Sequence, residues 1–257
     1  MSEFFESVQR GRVLRLALNR PEKRNALSAA FCVELVQALE LADRDPGVGA
    51  ILLAANGKAF CAGMDLSEIA LGNVEKINRA HEEVFTIGSR LSKPLIAAVH
   101  GPALGGGTGL VANCHIVIAA EDATFGLTEI RLGLWPFLVF RAVSAAVGER
   151  RAVELSLTGR IFGPREAREI GFVSEISADL DQRAAHVAES VASFSPTAIR
   201  AGIGFVSKIR GMDWESAGQV ARRARNEIFQ SQDFQEGIRA FREKRAPRWP
   251  SLSEPSS

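Results

Sequence analysis

No tyrosine occurs among the 257 residues, so any site in this chain works without a phenol. Cysteine is nearly as scarce. Cys32, Cys61 and Cys114 lie far apart with no C-x-x-C spacing, which suggests neither a zinc site nor a disulfide framework and fits a reducing compartment. Excess charge is missing too: 31 basic and 30 acidic residues leave a formal net charge of +1, with no electrostatic footprint for nucleic acid or a membrane surface. The start, "MSEFFESVQRGRVLRLAL", has no long apolar h-region, and no stretch reaches about 18 uninterrupted apolar residues. The expectation is a cytoplasmic protein with no membrane partner. Its hydrophobic content of 46% suffices to bury a full core, as one large domain or one domain with an appendage.

Strand and helix signals alternate along the first part of the chain. "RVLRLALN" sets Leu14, Leu16 and Leu18 on one strand face, and "RPEKRN" follows as a turn opened by Pro21. Ser28 is a candidate N-cap for a helix in which Phe31, Leu35 and Leu39 recur at helical spacing until "DPG". "GAILLAA" and "KPLIAAVHG" are doubly apolar, as buried parallel strands are. "EKINRAHEEVFTIGSRLS" and "GTGLVANCH" read as helices, and "IVIAAEDATFG" as one further strand. This alternation predicts an α/β fold with a mainly parallel sheet. "RAVSAAVGERRAVELSLTG" and "PREAREIG" read as helical, and so does everything from Ser195 to a frayed "EPSS" tail. The expected division is an α/β core over 1–194 and a helical region over 195–257. Ile203, Phe205, Trp214, Ile228 and Phe229 of that region must pack on the core or on a neighbouring subunit.

The stretch "HGPALGGGTGLVANCH" requires a close approach to its backbone. No lysine follows the glycines as a P-loop demands, and their spacing breaks the dinucleotide fingerprint. A helix starting near Gly107 would leave N–H groups around Gly106 unpaired and aimed at an oxyanion. Tight helix–strand packing explains the glycines equally well. "GKAFCAGMDL" also follows a buried strand and sets Ala62 and Gly63 before a turn into the helix "MDLSEIA", so two turns can converge two N–H donors on one oxygen.

The ordered motifs "NRPEKRNALS", "AFCAGMDL", "ALGGGTGL", "FGLTEIRLGLWP" and "AFREKRAPRW" closely resemble the enoyl-CoA hydratase/isomerase (crotonase) family across nearly the whole chain. The resemblance implies a spiral of repeated ββα units with a helical C-terminal oligomerisation region, assembled as a homotrimer or hexamer. It implies an acyl-CoA substrate whose thioester oxygen sits between the N–H groups of Met64 and Gly106. The CoA would run along Arg24, Ala26, Ala62, Asp65 and Leu66, with Lys244 at a phosphate. Coenzyme A belongs to the substrate, and neither a further cofactor nor a metal is implied.

Two-glutamate hydratases of the family carry one carboxylate where this chain has Gly109 and another at Glu129. Only Glu129 is kept here, in an apolar window that would raise its pKa and suit it to take and return a proton. By resemblance it is the catalytic residue. Hydration of a 2-enoyl-CoA by one glutamate is the first reading, with 3,2-enoyl-CoA isomerisation and a non-catalytic acyl-CoA-binding protein as alternatives. Trp135, Phe137, Leu138 and Phe140 replace a glycine-rich turn of many relatives and would line the acyl end of the pocket or join the core. His100 ends a strand near the glycines, whereas His81, His115 and His186 show no partner spacing, and no hydrolase triad order occurs.

Overall fold

The computed structural model describes residues 3–69 and 74–252, and the doubly apolar runs form its centre. The main sheet orders β1 (Phe5–Arg10), β2 (Val13–Leu18), β3 (Ala50–Ala55), β4 (Leu95–Val99), β6 (Ile116–Ala119) and β8 (Glu175–Ile176). Only β1 with β2 is antiparallel. All residues of β3 and β4 are buried, because helices cover both sheet faces. On one face, α1 (Ala29–Arg44) and α3 (Val74–Thr86) share a core with Leu16, Ile51, Leu53 and Leu95. On the other, α8 (Leu180–Ala192) packs Ala184, Ala188 and Ala192 on Ala17, Leu52 and Ile96. Alanines four residues apart let this helix lie close to the strands.

Local signals set the ends of α1. Ser28 Oγ accepts the Phe31 N–H at 3.2 Å, and the buried Phe31, Leu35 and Leu39 face the sheet. After β4 the chain makes β5 (Pro102–Leu104) and α4 (Gly106–Ala112). After β6 it makes β7 (Thr124–Gly126), a 3-10 turn over Glu129–Leu132, and α5 (Phe137–Val147). Strand, short strand and helix thus recur, and β5 pairs with β7 in a separate parallel sheet. "IVIAAEDATFG", expected as one strand, is two strands in two sheets, because the Glu121–Asp122 turn redirects the chain. β1 was not expected at all: only Phe5 of its six residues is buried, so it carries no alternating signal.

The expected helix "MDLSEIA" is described over α2 (Leu66–Ile69), and its Ala70 lies outside the described residues, as does the "EPSS" tail. Past α5 come α6 (Glu149–Thr158) and α7 (Pro164–Glu169), then after α8 α9 (Pro196–Ile209), α10 (Trp214–Phe229) and α11 (Gln232–Glu243). No residue of α9 or α10 is buried, and Trp214 is 96% exposed. Among the described residues no helix is long and apolar enough to cross a membrane.

The turn after β2 is locked from within. Arg24 and Asn25 have φ of 51° and 54°, a left-handed conformation that asparagine tolerates better than most residues. The buried Asn25 side chain accepts the Arg20 N–H at 2.8 Å and donates to the carbonyls of Asn56 and Ala59, both at 2.9 Å. Asn25→Ala strands these three main-chain groups, and urea denaturation is expected to show a loss of about 3 kcal/mol.

Candidate active site

A cavity of about 520 Å³ opens between α3, the start of α4, and the segment from Thr128 to Val139. Two main-chain segments reach it with unpaired donors. Leu27 pairs with Met64 in a parallel bridge: the Leu27 N–H donates to Gly63 O at 2.7 Å, and Asp65 N–H donates to Leu27 O at 3.0 Å. In such a bridge Met64's own N–H points to the opposite edge. It has no main-chain acceptor among the described residues, and Met64 lines the cavity. Gly106 is the first residue of α4, and the first main-chain bond into the helix is Gly109 N–H to Gly105 O at 3.1 Å. Its N–H is therefore also left over.

The two donors lie side by side. Gly63 has φ +97°, and a methyl group there would stand 2.8 Å from Leu104 O and 3.3 Å from Gly106 N. Only glycine gives both the backbone angle and the clearance.

Glu129 opens the 3-10 turn after β7, with its carboxyl beside Gly105 at the start of α4. A methyl on Gly105 would meet Glu129 Oε1 at 3.1 Å, so the bare glycine makes room for the acid. Glu129 Oε2 is buried with no hydrogen-bond partner. Burial raises the Glu129 pKa, against a hydrogen bond from its own backbone N–H. A carboxyl group with a raised pKa thus lines the same cavity as two unpaired main-chain N–H groups, the kind of groups that can move a proton and stabilise an oxyanion.

The other residues singled out in the sequence divide. Ala62, Leu66 and Trp135 line the cavity with Met64, Gly106 and Glu129, as do Phe137 and Leu138. Phe140 does not: it stacks near Trp135, ring centroids 6.0 Å apart, and packs on the core. Arg24, Ala26 and Lys244 do not line it either. Arg24 is exposed with its carbonyl bonded to Ala62 N–H at 2.9 Å, the Ala26 carbonyl accepts from Arg20 at 3.1 Å, and exposed Lys244 caps α11. The Asp65 carboxylate is engaged by Arg20 at 2.8 Å and Ser67 Oγ at 2.5 Å. Burial pushes its pKa up, but these bonds hold it below the ordinary value. His100 turns to Gly57 O at 2.9 Å, and the cavity's histidine is instead His81, on α3.

No motif in the sequence marks α3 as a wall of the cavity. Asn78, His81, Glu82 and Phe85 reach the cavity from it, at the helical spacing that usually marks a core face. Nor was the neighbour of Gly109 foreseen: a methyl there would collide with Val139, whose Cβ is 2.7 Å away, and lie 3.3 Å from Phe85. Apolar side chains occupy the place beside Gly109.

An acid with a raised pKa binds its proton more tightly folded than unfolded, so it lowers stability as pH rises from its ordinary value of 4.5 through the raised one. Glu129→Gln is therefore expected to melt higher than the wild type at neutral pH, and the two to converge as pH falls below that ordinary value. Thermal denaturation across pH checks this.

Known proteins resemble this chain over nearly its whole length. The family model described as enoyl-CoA hydratase/isomerase matches residues 9–252. A 2,3-dehydroadipyl-CoA hydratase of Escherichia coli is 35% identical over 251 residues, covering 96% of this chain and 98% of that one. A peroxisomal Delta(3,5)-Delta(2,4)-dienoyl-CoA isomerase of Arabidopsis thaliana is 32% identical over 259 residues, 93% of each. Among solved structures, an enoyl-CoA hydratase of Mycobacterium smegmatis superposes with a TM-score of 0.92 at 33% identity, over 96% of this chain and 99% of that one. The architecture is the crotonase fold, and the chain belongs to the enoyl-CoA hydratase/isomerase family.

Proposed function

We propose that this chain hydrates a 2-enoyl-CoA with Glu129 as its single acid–base group. The observation that carries the reading is the buried, unpartnered Glu129 Oε2 beside the free N–H groups of Met64 and Gly106. The thioester oxygen lies between the two N–H groups, and the acyl chain runs along Trp135, Phe137 and Leu138. Glu129 takes a proton from water as the water oxygen bonds to Cβ. The electron pair of the double bond moves to the thioester as an enolate, where the N–H groups stabilise charge that was absent in the ground state. Glu129 then returns the proton to Cα, giving the 3-hydroxyacyl-CoA.

Isomerisation of a 3-enoyl-CoA is the second reading, favoured by Val139 and Phe85 beside Gly109. One base there moves a proton from C2 to C4 through a dienolate and needs no second acid. In either reading Arg24, Ala26, Ala62, Asp65, Leu66 and Lys244 serve the CoA moiety. Asp65 does so by shaping its loop through Arg20. No cofactor enters beyond the coenzyme A of the substrate, and the protein works in the cytoplasm.

We also propose that residues 195–257 form an oligomerisation region, in a homotrimer or a hexamer of paired trimers. Support comes from the unburied α9 and α10, and from Phe241 of α11, which is 85% exposed. Sedimentation equilibrium is expected to give three or six chains, and a monomer at micromolar concentration overturns it.

Purified protein supplied with 2-enoyl- and 3-enoyl-CoA over several chain lengths, with products followed by mass spectrometry, tests the chemistry. Hydration of the former is expected, with Glu129→Gln lowering kcat about 100- to 10,000-fold. Double-bond migration without hydration selects the isomerase, and CoA binding with no turnover selects the non-catalytic protein. Activity should rise with pH through the raised Glu129 pKa, since the base must be ionised.

A further inference from the structure

His81 is buried on α3 and lines the acyl cavity, yet no step above uses it. Its Nε2 lies 3.2 Å from the carbonyl oxygen of Leu27, in a buried contact. A carbonyl only accepts, so Nε2 carries the proton and donates. The same Leu27 oxygen accepts the Asp65 N–H at 3.0 Å, and both of its lone-pair directions are thereby filled.

Met64 depends on this carbonyl. Beyond the bonds to Leu27, Gly63 and Met64 make no main-chain hydrogen bond among the described residues. The Cys61 side chain accepts the Gly63 N–H and Arg24 O the Ala62 N–H, but it is Leu27 that bonds on both sides of Met64 and sets the edge from which the Met64 N–H projects, and His81 holds Leu27 from the cavity wall. The ring also lies 5.7 Å from Phe85, so the histidine is fixed by packing as well as by its bond.

We propose that His81 is a positioning residue for the oxyanion hole: by donating to the Leu27 carbonyl it fixes where Met64 presents its N–H to the thioester oxygen. The inference rests on the acyl-CoA reading of the cavity. It joins substrate contact to electrostatics, because the helix that walls the acyl group also aligns a donor to its carbonyl. Burial lowers the His81 pKa, against the pull of the Leu27 bond and the Glu68 charge, which keeps the ring a neutral donor near neutrality.

The probe is 2,4-hexadienoyl-CoA, a conjugated thioester whose absorption moves to longer wavelength when hydrogen bonds polarise its carbonyl. Wild type, His81→Leu and His81→Gln are compared for that shift, for probe affinity, and for kcat and KM on the substrate turned over. His81→Leu is expected to bind the probe within about threefold of wild type, to lose at least about half the shift, and to lose kcat about 10- to 100-fold with little change in KM. His81→Gln, which keeps an N–H donor, should recover most of the shift and of kcat. A full shift in His81→Leu, a loss of affinity with the shift intact, or a His81→Gln as poor as His81→Leu overturns the proposal. If His81→Leu does not fold, His81→Phe restores the ring volume without the donor and is read in the same way. Failure of both to fold makes His81 a structural residue and also overturns it. A wild type that neither binds nor shifts the probe sinks the acyl-CoA reading instead, so the two failures are distinct.

Discussion

The Leu27 main chain grips Gly63 and Asp65 by bonds of 2.7 and 3.0 Å, and the site exists because that grip skips the residue between them. A strand pair satisfies alternate residues on each edge, so holding Met64's neighbours leaves its own N–H for something else. The glycines follow from this constraint. Gly63 must turn through a left-handed angle while Leu104 O and Gly106 N press close, and the second donor comes into line only because that contact has no side chain in it. Asn25 and Arg20 hold the other end of the same loop, fastening the turn after β2 to Asn56, Ala59 and Asp65.

On this frame the chemistry reduces to desolvation. Two donors without acceptors and one carboxyl oxygen without a donor face one apolar space, and each would be costly elsewhere in a folded protein. In the proposed reaction a polarised carbonyl accepts from the two donors and the carboxyl oxygen carries the migrating proton. The apolar wall from Trp135, Phe137 and Leu138 lowers the local dielectric and so strengthens these interactions.

Much of this was legible in the sequence wherever neighbours along the chain decide the outcome. Ser28 caps α1 through its own third neighbour, β3 and β4 announce double burial by unbroken apolar runs, and Met64, Gly106 and Glu129 sit in short ordered motifs. Legibility failed where partners are distant. β1 is an edge strand with one buried residue, and one apparent strand divides between two sheets. His81 looked unpartnered because its acceptor, Leu27, is 54 residues away and is a main-chain atom that no side-chain pattern reveals.

Val139 gives Gly109 a history as well as a shape. Any side chain longer than hydrogen at 109 runs into a branched residue 30 positions later, so a carboxylate there is at least two substitutions away from this chain. The order of those changes matters: room has to open at 139 before an acid at 109 is tolerated, and the intermediate with the room but not the acid holds a void. The two positions are coupled by packing, so in this scaffold the step from glycine to an acid at 109 crosses a valley of packing rather than a single codon.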